Sequence, residues 1–220
     1  MKVAVVTFPG SNCDRDVMYA FRARLGCEVV NAWHDDASLG TVDAVILPGG
    51  FSYGDYLRCG AMAAHAKIMP EVKRFADAGG PLLGICNGFQ ILCETGLLPG
   101  ALIRNRSLNF VCKEVAINVE HESLWSKQLV GKTLRVPVAH GEGNYVADEA
   151  TLDSLEKDGR VIFRYAGESP NGASRNIAGI ANARGNVVAL MPHPERASDP
   201  ELGRNDGLAI LQSVLPAVLR

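Results

Sequence analysis

The sequence predicts an α/β fold: an open, mostly parallel twisted sheet with helices on both faces, and added antiparallel strands in its second half. Three observations carry this expectation. Short β-branched runs alternate with helix-compatible segments, and each run ends in glycine, proline or a small polar residue. From Phe110 onward the strand-like runs continue with few helices between them. Finally, 220 residues with 47% hydrophobic content can bury a full core. No repeat, low-complexity linker or composition break divides the chain, so residues 1–220 are expected to form one domain.

In chain order, Val3 to Thr7 reads as the first strand, followed by the turn residues Pro9-Gly10-Ser11-Asn12. A helix is expected from about Asp14 to Gly26, because Val17, Phe21 and Leu25 fall on one helical face and glycine ends the pattern. Glu28 to Ala32 and Ala44 to Leu47 are the next strands, the latter running into Pro48-Gly49-Gly50. Between Gly60 and Ala78 the pattern is helical, with Pro70 separating or starting a segment. Leu82 to Ile85 is a fourth buried strand. The second half offers Phe110 to Val119, Thr133 to Val138, Val161 to Tyr165, Ile177 to Asn182 and Asn186 to Leu190, with "NARGNV" as a hairpin turn between the last two. A closing helix is expected over Asp206 to Leu219, with Asn205 as its cap.

The stretch "LLGICNGFQIL", residues 82–92, places Cys86 between Gly84 and Gly88 where a buried strand turns at once into a helix. A sharp strand-to-helix turn needs small flanking residues, which is the logic of a nucleophile elbow. The alternative is a cysteine serving as a small buried hydrophobe. In an open parallel sheet, ligands sit outside the carboxyl ends of the strands. The loops at Pro9-Gly10, at Pro48-Gly49-Gly50 and at Cys86 all fall at such ends, so they can converge on one crevice.

A nucleophilic thiol with an ordinary pKa of about 8.5 needs a base at neutral pH. Of the histidines, His34, His65 and His121 suit solvated or packed roles, whereas His193 in "LMPHPER" is held extended by prolines on both sides. Two residues on, Glu195 can face the same way and orient the imidazole, as the acid of a Ser-His-Asp triad does.

These motifs resemble the class I (triad) glutamine amidotransferases: "GICNGFQ" followed about a hundred residues later by "HPE" is similar to their glutaminase domain. Within that family, "FPGSNCDRD", "PGGFSYGDYLR", "RNRSLNF" and "AHGEGNY" resemble the glutaminase subunits of phosphoribosylformylglycinamidine synthases, enzymes of purine biosynthesis. The likeness runs from Val3 to the C-terminal helix, and it implies a flavodoxin-like sheet. It further implies Cys86 as nucleophile on the amide of glutamine, His193 as proton shuttle and Glu195 as its orienting partner. The backbone N–H groups of Gly50 and Asn87 would form the oxyanion hole, and Gln90, His140 and Gly141 would line the substrate site. Arg106 and Asn109 would contact either the substrate or a partner. The family's partners would be a large synthetase subunit that uses ATP and Mg, together with a small bridging subunit.

Other functions fit the residues less well. A net charge of −2 and the lack of a polybasic run argue against nucleic-acid or anionic-membrane surfaces. The opening "MKVAVVTFPG" is too short an apolar run for a signal-peptide core or a membrane span. The six cysteines form no C-x-x-C pair and lack histidines at zinc spacing, so reduced thiols in a cytoplasm, with no metal, are expected. "GKT" at Gly131–Thr133 has Ser126 where a phosphate-binding loop needs its first glycine, so no cofactor is expected on this chain. Two rival readings remain: another triad amidotransferase or cysteine hydrolase on the same fold, and a catalytically inactive scaffolding subunit.

Overall fold

The computed structural model describes residues 1–215. Its strands and helices are β1 (Lys2–Thr7), α1 (Asp14–Tyr19), β2 (Glu28–Trp33), β3 (Ala44–Leu47), α2 (Met69–Asp77), β4 (Leu82–Ile85), α3 (Asn87–Glu94), β5 (Ala101–Ile103), β6 (Val111–Val119), β7 (Thr133–His140), β8 (Asn144–Val146), α4 (Glu149–Lys157), β9 (Val161–Tyr165), β10 (Ile177–Ala181), β11 (Val187–Leu190) and α5 (Asp206–Gln212).

One 9-stranded sheet carries the order β2-β1-β3-β4-β11-β10-β9-β6-β7, and β5 pairs with β8 in a separate ribbon. From β2 to β11 every neighbour pair is parallel. From β11 to β7 every pair is antiparallel. The order 2-1-3-4 with a fifth parallel strand beside β4 is the flavodoxin-like arrangement. β3, β4 and β11 are buried along their whole length, as strands covered on both faces must be. In β7 every second residue is buried, the mark of a sheet with one covered face.

Several elements differ from their expected extents for local reasons. α1 gives way after Tyr19 to wider turns over Ala20–Arg24, where the Leu25 N–H reaches back to the Ala20 carbonyl at 3.1 Å, before Gly26 ends the segment at φ +65°. Val17 and Phe21 are nevertheless buried, and Leu25 packs against the core. Within Gly60 to Ala78 only Met69–Asp77 is α-helical, with Pro70 in its first turn, and Ala63–His65 is a single 3-10 turn. The "NARGNV" hairpin is closed by the Asn182 N–H on the Val187 carbonyl at 2.9 Å. Asn205 stands at the start of α5, but its side chain makes no capping bond. Residues 216–219 of the expected closing helix lie outside the described residues.

Three elements had no counterpart in the sequence reading: the β5–β8 ribbon and α4. The ribbon strands are only 3 residues each, too short for a period to register. α4 did carry a signal. Asp148 caps it by accepting the Thr151 N–H at 2.8 Å, Leu152 and Leu155 are its buried face, and Gly159 follows its end.

Candidate active site

Cys86 occupies the hinge between β4 and α3 with φ +50° and ψ −102°, a backbone conformation that L-residues rarely adopt. Its N–H donates to the Leu190 carbonyl at 2.9 Å, tying the turn to β11, and its own carbonyl accepts the Phe89 N–H at 2.9 Å, starting α3. The flanking glycines answer a packing demand. A Cβ on Gly88 would lie 2.0 Å from the Leu47 carbonyl oxygen, and one on Gly84 would lie 2.8 Å from the Gly88 carbonyl oxygen. Strand and helix therefore approach too closely for any side chain, and the strain falls on Cys86, which is 5% exposed.

Beside β4, β11 ends in register with it, Leu190 opposite Ile85, so the chain leaving β11 passes the elbow. There His193 anchors its N–H on the Pro137 carbonyl at 2.8 Å. Its Nδ1 meets Glu195 Oε1 at 2.6 Å, with both side chains buried. Nε2 has no hydrogen-bond partner among the described residues. Burial opposes a charge on this ring, but the charges of Glu195 and Cys86 outweigh it and hold the imidazole pKa well above the ordinary histidine value. The His193–Glu195 turn is wedged against α5, where a Cβ on Gly207 would lie 2.1 Å from the Pro194 carbonyl oxygen.

Sequence reasoning overlooked Cys13 as a neighbour of this pair. Cys13, His193 and Glu195 bring ligand atoms within 4.8 Å of one another, the spacing of a metal-binding group. Against that use, Arg196 Nη2 donates to Cys13 Sγ at 3.1 Å, which sets a fixed positive charge where a cation would sit. Burial pushes the Cys13 thiol pKa up.

A cavity of about 350 Å³ opens onto the nucleophile and includes Gly50, Cys86, Gln90, His140 and Gly141 in its lining. Gly50 sits at φ +138°, and a Cβ there would lie 2.7 Å from the Asn12 amide nitrogen, so only glycine fits between the first and third loops. The N–H groups of Gly50 and Asn87 have no hydrogen-bond acceptor among the described residues. The Asn87 side chain accepts the Ser52 N–H at 3.2 Å and donates to Gln90 Oε1 at 2.8 Å, while Gln90 Nε2 donates to the Glu142 carbonyl at 2.7 Å. Gln90 thus lines the cavity and also braces its wall.

That wall, residues 139–143, is pinned from behind by two buried asparagines absent from the sequence reading. Asn105 donates to the His140 carbonyl at 2.9 Å and accepts the Gly143 N–H at 3.0 Å, and Asn171 donates to the Gly143 carbonyl at 2.7 Å. Burial, reinforced by the charge of His193, lowers the His140 pKa to about 4, so its ring is neutral. Arg106 and Asn109 are not among the cavity residues: Arg106 reaches the Gly172 carbonyl at 3.4 Å, and Asn109 donates within its own loop to Ser107. The arginine on the cavity is Arg104. No helix among the described residues is long and apolar enough to cross a membrane.

A thiol at a strained strand-to-helix turn, a buried imidazole with one nitrogen oriented by a carboxylate, and free N–H groups beside a cavity are the parts of an acyl-transfer site. Comparison with known proteins agrees with this chemistry. Residues 1–204 match the CobB/CobQ-like glutamine amidotransferase domain. The chain is 56% identical over its whole length to 99% of the phosphoribosylformylglycinamidine synthase subunit PurQ of Trichormus variabilis. It is 58% identical, over 98% of each chain, to the subunit of the same name from Rubrobacter xylanophilus. In the solved structure of PurLQS from Thermotoga maritima, one chain is 44% identical and superimposes with a TM-score of 0.90, covering 100% of this chain and 99% of that one. The chain belongs to the CobB/CobQ-like glutamine amidotransferase family.

Proposed function

We propose that this chain is the glutaminase subunit of a phosphoribosylformylglycinamidine synthase: it hydrolyses glutamine to glutamate and supplies ammonia to a large synthetase partner, with a small bridging subunit in the same complex. The observation that carries the chemistry is the buried His193–Glu195 pair at 2.6 Å with Nε2 unpartnered next to the Cys86 elbow. The full-length likeness to PurQ subunits and to a chain of the PurLQS assembly supports the pathway and the partners.

In this reading Cys86 Sγ attacks the side-chain amide carbon. The oxyanion that forms is met by the Gly50 and Asn87 N–H groups, each contributing roughly 3 kcal/mol to barrier lowering. His193 takes the thiol proton and delivers it to the departing ammonia, and Glu195 keeps Nδ1 protonated and stabilises the imidazolium. Water, activated by the same imidazole, then cleaves the glutamyl thioester. Every proton moves through His193, so the chain uses no cofactor of its own, and ATP with Mg is consumed by the partner. Gly131–Thr133 supports that division, because the segment leads into β7 rather than a helix N-terminus that could cradle phosphate. In this reading the complex works in the cytoplasm, a setting that the unpaired cysteines and a purine-biosynthetic role support, and residues 1–220 act as one domain.

The test uses the assembled complex. With Cys86→Ala, product formation from ammonium salts persists at the wild-type rate and the glutamine-dependent reaction disappears. Retention of glutamine-dependent synthesis contradicts the reading, and loss of both reactions assigns Cys86 to assembly instead.

A further inference from the structure

We infer that Asp55 and Glu142 together bind the α-ammonium of the glutamine substrate and so set the preference for an amino-acid amide over a simple amide. This rests on the glutaminase reading above. Glutamine presents its amide to Cys86 and carries its ammonium and carboxylate at the other end, about 4 Å away across three C–C bonds. Both acids line the same cavity of about 350 Å³ as Cys86, so one bound molecule can meet the thiol and the acidic wall together.

The arrangement of the two carboxylates is specific. Asp55 is held at φ +56°, a left-handed conformation unusual outside glycine, and its Oδ1 lies 3.5 Å from Asn87 Nδ2, which ties it to the residue after the nucleophile. Glu142 hangs from the wall that Gln90 braces. Between them lies the Cys59 thiol, 7% exposed, whose pKa is raised by burial and by both carboxylates. Asp55 makes no ion pair among the described residues: Arg58 is committed to Glu94, with its Nε at 2.6 Å, and the largely exposed Arg104 pairs loosely with Glu142 at 3.8 Å. Burial, with Glu142 adding to it, pushes the Asp55 carboxyl above its ordinary range. An ammonium bound there supplies the counter-charge that Asp55 lacks, and the exposed Arg104, held by Glu142 only at 3.8 Å, can turn to the α-carboxylate.

The test compares glutamine with 4-carbamoylbutanoate, which has hydrogen in place of the α-ammonium, as substrates of the assembled complex. Wild type is expected to favour glutamine strongly in kcat/KM. Asp55→Asn and Glu142→Gln should each shrink that preference by about tenfold or more, chiefly through the KM for glutamine. Arg104→Gln should leave the preference unaltered, because both compounds carry the carboxylate it faces. Either acidic variant suffices if the other does not fold. A preference within twofold of wild type in both acidic variants overturns the inference alone, as does an equal loss of preference in Arg104→Gln. A wild-type complex that hydrolyses neither amide overturns the glutaminase reading and the inference with it.

Discussion

The two halves of the sheet build the site in different ways. In the parallel half, β3, β4 and β11 are buried throughout, and their loops reach the site because parallel strands all end on the same side. Main-chain geometry does the work there: the Cys86 elbow, the Gly50 bend and the register of β4 with β11 need little side-chain help. The antiparallel half contributes a wall instead. The wall runs from the last residues of β7 into irregular chain over 141–143, and buried side chains from distant loops, Asn105 and Asn171, hold it. In the proposed reading, the chemistry rests on the part fixed by topology, while substrate fit draws on Asp55 and Gln90 from that half together with the wall fixed by side-chain hydrogen bonds.

If that division holds, the largest effects come from the seam between β4 and β11. His193→Ala should lower glutamine hydrolysis by about a thousandfold or more, and Glu195→Gln by less, because the latter weakens orientation while leaving the shuttle in place. Steady-state kinetics of the assembled complex reads both, and equal activity of wild type and His193→Ala would break the comparison. Gly88→Ala comes next. Its Cβ would stand 2.0 Å from the Leu47 carbonyl oxygen, so a loss of about 2–3 kcal/mol in unfolding free energy is expected by chemical denaturation.

Asn105→Ala sharpens the other side of the comparison. It leaves the Gly143 N–H without its acceptor and frees the wall, at a cost of about 2 kcal/mol. The KM for glutamine should rise several-fold with kcat less affected, since the elbow is untouched. A pure kcat defect would show that the wall shares in the chemistry.

Two histidines give opposite pH signatures of smaller size. The His193 pKa is raised in the folded state, so its stabilisation is complete below the unfolded value of about 6.5 and is lost as pH rises through the folded pKa. His140, lowered to about 4, binds fewer protons in the folded state, so it costs stability progressively as pH falls from about 6.5 to about 4. His140→Gln should therefore flatten the acid limb of the stability profile, and Glu195→Gln the alkaline limb. Unchanged limbs in denaturation series across pH would show that neither ring is perturbed. Smallest of all, Cys86→Gly should raise stability by about 1 kcal/mol while removing activity, because glycine accepts φ +50° without strain.

What was legible in the sequence follows the same division. The parallel strands, the turn at Cys86 and the candidate residues His193 and Glu195 were readable because they rest on local patterns: apolar runs, flanking glycines, prolines around a histidine. The short β5–β8 ribbon was not, since 3-residue strands carry no period. Asn105, Asn171, Asp55 and Glu142 were missed for another reason. Their roles depend on long-range contacts, such as Asn105 with His140, 35 residues apart, and nothing in their neighbouring residues marks them. Cys13 is the intermediate case: the sequence placed its loop at the crevice, yet only the folded chain shows it beside His193.

The central claim is that Cys86 is the thiol served by His193, and covalent labelling tests it most directly. A glutamine-mimicking alkylator, followed by peptide mass spectrometry, is expected to modify Cys86 first in the wild type and to react far more slowly in His193→Ala. Cys13, Cys59 and Cys93, whose thiol pKa values burial raises, should lag in both. Preferential modification of Cys13 or Cys59 with Cys86 untouched, or labelling of Cys86 at the same rate without His193, would contradict it.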